Sequence, residues 1–144
     1  MAATKRARRA PAKSQQAAAR APSRGRRVAD MAALALVGAH VGLLWLMVLD
    51  GVLPLGLAAG FAGLSLLTFL AYARDKRAAR LQARRTPETV LHVLELLGGW
   101  PGALIAQRAL RHKNRKASYQ VAFWACALLH EATLCHIWRQ ASGS

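Results

Sequence analysis

Three long apolar runs, punctuated by clusters of arginine and lysine, constrain this chain more than any other feature. Residues 29–50 and 55–73 are almost wholly apolar, and a third run covers 118–138. About twenty such residues in a helix cover a hydrocarbon core of roughly 30 Å. The expected architecture is therefore an all-α membrane protein. The first run reads as a signal-anchor helix. Its charged lead and its apolar stretch are both too long for a cleaved signal peptide, and no small-x-small site follows before Asp50. Pro54 opens the second run. Gly56, Gly60 and Gly63, with Ala59 between, form a small-residue face expected to pack runs one and two as a hairpin.

Charge places these runs in space. A formal net charge of +15 accompanies a hydrophobic fraction of 54%, a pairing that fits apolar spans with basic flanks. Residues 1–28 form a basic arm without periodic apolar residues, expected to be disordered. Three readings of it compete: a cytoplasmic flank touching anionic lipid, a non-specific nucleic-acid tail (residues 1–27), and an organelle transit peptide. The first is preferred. Residues 74–85 are again strongly basic, which puts them on the same cytoplasmic side after two spans.

The fourth apolar stretch differs. Thr86, Pro87 and Glu88 suit an N-cap, a first helical position and a first turn. Val90, Leu91, Leu94 and Leu97 then share one helix face, with His92 and Glu95 on another. Gly98, Gly99, Pro101 and Gly102 interrupt the helix before a second limb ends in a cationic cluster. Both flanks are basic, so a single crossing would strand one basic cluster outside. A re-entrant or interfacial helix–break–helix at about 87–111 is expected, covered by protein at its break. The domain reading is a single membrane module over 29–138, with three transmembrane spans, a cytoplasmic N-terminus and a short outer tail at 139–144. Tyr119, Trp124 and Trp138 are expected near the interfaces.

Few side chains offer chemistry. Only Asp30, Asp50, Asp75, Glu88, Glu95 and Glu131 are acidic, which leaves little for paired-carboxylate catalysis. Cys126 and Cys135 would stand about 13–14 Å apart along one helix, too far for a disulfide. Candidates for an anionic head-group site are Asp75, Lys76, Glu88, Arg111, His112, Lys113 and Lys116. The same cations at a helix end also serve simple membrane anchoring, and anchoring is the simpler account. The glycine break exposes backbone N–H groups that suit an anion, although a tight turn with close packing explains it as well. There is no P-loop. The run HEATLCH resembles a zincin motif but fails it, because His130 and His136 are six residues apart and point apart on a helix. No metal or cofactor is assigned. His40, His130 and Glu131 fall at similar depth inside spans, where ionisable groups are functional candidates or else hydrogen bonds that fix helix packing.

Tyr72-x-x-Asp75-Lys76, Arg85-x-Pro87-Glu88 with Leu91, Gly98-Gly99-Trp100-Pro101-Gly102, and Arg111-His112-Lys113 with Lys116 and Tyr119 occur in that order. The set resembles a family of small bacterial inner-membrane proteins known as domain of unknown function 1294, over roughly residues 55–134. Asn114 and Tyr119 depart mildly from the family's usual Thr and Phe. The resemblance implies location in a bacterial inner membrane and carries no activity. Some members fuse the module to a cold-shock domain, and residues 1–27 here lack the aromatic residues such a fold needs. The function expected is a small integral membrane protein of non-enzymatic role that binds anionic lipid at its cytoplasmic face. Alternatives are a membrane enzyme acting on a phosphate-bearing lipid and a membrane-tethered nucleic-acid binder.

Overall fold

The structure, a computed structural model, describes residues 24–83, 86–110 and 116–143. It is all-helical among those residues. The elements are α1 (Arg24–Leu49), α2 (Leu55–Arg80), α3 (Glu88–Leu94), a π-helical turn (Glu95–Gly99), α4 (Trp100–Leu110) and α5 (Ala117–Ser142). Four helical stretches are long and apolar enough to cross a membrane: Arg24–Leu49, Leu55–Arg80, Glu88–Leu110 and Ala117–Ser142.

Helix α1 starts inside the expected arm, since residues 24–28 are helical. Arg26 and Asp30, one turn apart and 3.7 Å between charged groups, fit that extension. Helix α1 ends in a Schellman motif. Gly51 takes φ 71°, its N–H reaches the carbonyl of Val48 at 3.0 Å, and the N–H of Val52 reaches that of Met47 at 3.0 Å. The left-handed residue turns the chain into Pro54 and α2. That helix continues past the apolar run to Arg80, carrying its basic residues on helical backbone.

The third stretch doubles back. A straight helix of its 23 residues would hold its ends about 34 Å apart. Here the N–H of Thr86 donates to Oδ1 of Asp75 at 2.9 Å, and Nζ of Lys76 donates to the carbonyl of Leu110. Both ends thus lie beside neighbouring residues of α2. The middle lies beside Phe61, Ser65 and Thr68, about 10–21 Å further along α2 at 1.5 Å per residue. Tyr72, one turn in from the Asp75 end, touches both limbs, through Glu95 and Gln107. Gly98 makes the reversal, with φ 115°, a region that residues bearing a Cβ rarely enter. In the most apolar part of this stretch 56% of residues are buried, against 22%, 11% and 22% in α1, α2 and α5. The hairpin is the core, and the three long helices surround it.

Several expectations change. The helix start is not a threonine cap: Pro87 occupies the N-cap without a side-chain hydrogen bond, and Thr86 is held by its backbone. Across Glu88–Gly99 the expected apolar face is kept only in part, with Leu91 fully buried and Leu94 half-buried. Val90 and Leu97 are exposed, whereas Glu95 is fully buried. In lipid, apolar side chains gain nothing by turning inward, so the polar face seeks the protein interior. Gly56, Gly60 and Gly63 have open space beside them. Close approach occurs instead at the hairpin tip, where a Cβ on Gly102 would overlap the Ser65 backbone, with its Cα at 2.9 Å. Tyr119, in the first turn of α5, is buried.

Candidate functional site

Two buried polar clusters and one basic mouth organise the molecule. In the first cluster, the π-helical turn aims Glu95 inward. Its Oε1 accepts from the hydroxyls of Tyr72, in α2, and Tyr119, in α5, the latter at 3.1 Å. Its Oε2 stands 2.6 Å from Nδ1 of His92, one turn earlier. Gln107 donates to Tyr72 at 3.3 Å, and Gln120 donates to Gln107 at 2.7 Å. One carboxylate therefore links the first hairpin limb to α2 and α5, and Gln107 joins the second limb to the cluster through Tyr72. Glu95 is not among the candidate site residues expected from the sequence. The signal was available, because an acid inside an apolar run marks a functional or structural centre.

The second cluster lies at the hairpin tip. His40 of α1 places Nδ1 2.6 Å from Oε1 of Glu131 of α5, and Trp100 donates its indole N–H to the same oxygen at 3.0 Å. His130 places Nδ1 3.2 Å from the carbonyl of Leu96. A carbonyl only accepts, so Nδ1 carries the proton and Nε2 of the neutral ring presents a lone pair. The rings of His40 and His130 are 5.8 Å apart. The structure thus brings His40, His130 and Glu131 together, while His136 bonds Gln140 in its own helix. At the hairpin tip, Gly98, Gly99, Pro101 and Gly102 are packed against α2, and their burial favours the tight-turn account of the break.

At the basic end, the described candidates for a head group each take part in a contact. Asp75 holds Thr86, Lys76 holds the end of α4, and Lys116 pairs with Glu88 at 2.8 Å. Arg111, His112 and Lys113 lie outside the described residues. A different pair converges. Arg26 and Arg108 both face Asp30, at 3.7 and 3.8 Å. They line a cleft of about 400 Å³ with Ala33, Leu34 and Ile105. Ile105 also lines a second, apolar cavity of about 450 Å³ between α1 and α2, walled by Val37, Val41 and Phe69. The cleft and the cavity share Ile105 as a lining residue.

Geometry and composition define a helical protein built for a membrane around a buried polar hairpin. Residues 65–119 match the family described as "Protein of unknown function (DUF1294)", the family that the ordered motifs resemble. The matched region runs from the middle of α2 through the hairpin to Tyr119, and so contains the Tyr72–Glu95–Tyr119 cluster. No curated protein and no solved structure matches the chain.

Proposed function

We propose that the chain is an integral protein of a bacterial inner membrane that holds one anionic, phosphate-bearing lipid in the cleft between α1 and α4. In this reading α1, α2 and α5 span, α3 and α4 re-enter, and the N-terminus is cytoplasmic. The return of both hairpin ends to the Asp75–Lys76 end of α2 supports re-entry. That end also carries Arg26, Arg77, Arg80, Arg108 and Lys116, as a cytoplasmic face requires.

One observation carries the lipid assignment. Two arginines line a cleft between α1 and α4 that shares Ile105 with the apolar cavity next to it. Guanidinium forks suit phosphate oxygens, and a cavity of a few hundred Å³ suits a bound chain. Asp30 holds the two arginines in place while contributing one negative charge against two positive. The role in this reading is one of binding.

The test is lipid retention. The purified protein, exchanged into phosphatidylglycerol or phosphatidylcholine vesicles and re-extracted, is weighed by native mass spectrometry. The expected result is one retained phosphatidylglycerol, lost in Arg26→Gln with Arg108→Gln and in Ile105→Trp. Equal loss in Arg77→Gln with Arg80→Gln would show that only total charge matters, and would leave membrane anchoring without a site.

A further inference from the structure

The tip of the hairpin holds a set of donors that the lipid reading does not use. His40, His130 and Glu131 can each offer one ligand atom, and those atoms all lie within 4.8 Å of one another. His130 adds an independent observation. Its Nε2 is a buried side-chain nitrogen with no hydrogen-bond partner among the described residues, and the residue is 8% exposed. Its Nδ1–H is spent on Leu96. A neutral imidazole fixed through one nitrogen by a backbone carbonyl, with the other lone pair directed into the protein, is how proteins prepare a histidine for metal ligation.

We propose that His40, His130 and Glu131 bind a divalent first-row metal ion of borderline softness, with zinc as its representative. Two imidazoles and one carboxylate suit such an ion. Magnesium and calcium prefer oxygen ligands throughout, and copper(I) prefers sulfur. Zinc bonds of about 2.0–2.1 Å put tetrahedral donors about 3.3 Å apart. The His40–Glu131 contact of 2.6 Å would open slightly, and the wider separations would close by side-chain rotation. The ion takes the place of the proton shared by His40 and Glu131, which leaves to solvent. Trp100, donating to Glu131 at 3.0 Å, orients the carboxylate. His40 also lines the apolar cavity, so three protein ligands leave a fourth position toward that space.

A second set, His92, Glu95 and Cys126, also has donors within 4.8 Å. It is the weaker candidate, because both oxygens of Glu95 already accept hydrogen bonds. The metal proposal does not rest on lipid binding, and its test needs no lipid.

Full-length protein in detergent is stripped with chelator, reloaded with zinc and passed through gel filtration, and the retained metal is measured. One zinc per chain is expected for the wild type and for Cys126→Ser. His40→Gln and His130→Gln should retain none while keeping native helix content and elution volume. Trp100→Phe, which touches no metal, should weaken affinity by about 10–100-fold. Cobalt should give visible d–d absorption without a thiolate charge-transfer band. Retention of no metal by folded wild type, or undiminished retention by folded His130→Gln, would overturn the proposal. If His130→Gln does not fold, the cobalt spectrum of wild type decides: a thiolate band abolished by Cys126→Ser would move the ion to the other cluster and also overturn it.

Discussion

Nδ1 of His40 lies 2.6 Å from Oε1 of Glu131, and 91 residues of chain separate them. The contact ties the first long helix directly to the last. A polar bond between helices in lipid has no solvent to replace it, although measured values stay modest, about 0.6 kcal/mol on average. Leaving a charged or buried partner unpaired raises the cost. In metal-free protein, His40→Leu and Glu131→Leu should each lower thermal stability in detergent. The double variant should lose less than the sum, with a coupling of about 0.5–3 kcal/mol. Strict additivity would show that the two side chains do not meet.

Glycine positions separate tight from open packing. Gly102→Ala places its Cβ against the Ser65 backbone, which cannot rotate away. A loss of about 1–3 kcal/mol or more is expected. Gly60→Ala and Gly63→Ala meet nothing within 4 Å, and should change stability by no more than about 0.5 kcal/mol. Melting temperatures of the three variants in one detergent make the comparison.

The Glu95 cluster predicts a reversed hydrophobic scan. Val90 is 46% exposed and Glu95 is fully buried. Val90→Ala should be nearly silent. Glu95→Leu, despite its greater apolarity, should destabilise by about 1–3 kcal/mol, because the Tyr72 and Tyr119 hydroxyls, which also contact each other, lose the acceptor they share. Glu95→Gln keeps an acceptor oxygen and should lose less. Equal stability of Glu95→Leu and wild type would show that the carboxylate does not hold the hairpin.

Topology is tested by membrane-impermeant thiol labelling in whole cells. With Cys126 and Cys135 replaced by Ser, single cysteines at Gly51 and Gly143 should react from outside, and those at Gln82 and Lys116 should not. External labelling at Lys116 with none at Gly143 would turn the hairpin into a fourth crossing.

The amino-acid sequence alone determined where helices form, because length and apolarity are local properties of a chain. The runs at 55–73 and 118–138 lie within α2 and α5, the run at 29–50 lies in α1 but for Asp50, and the glycine break lies at the observed reversal. Basic residues on both flanks of 87–111 were enough to expect a return, since charge is likewise readable without coordinates. Only the tertiary structure decided which faces turn inward. Hydrophobic periodicity marks the core of a soluble helix, but in lipid both sides of an apolar helix are equally well solvated. Glu95 rather than Leu97 therefore points inward, and Gly102 rather than Gly60 meets a neighbouring backbone. The meeting of His40 with His130 and Glu131, and of Arg26 with Arg108, depends on how separate helices rotate and cross. No local pattern encodes that rotation; it is set by polar groups that have no partner in hydrocarbon and find one only across the bundle.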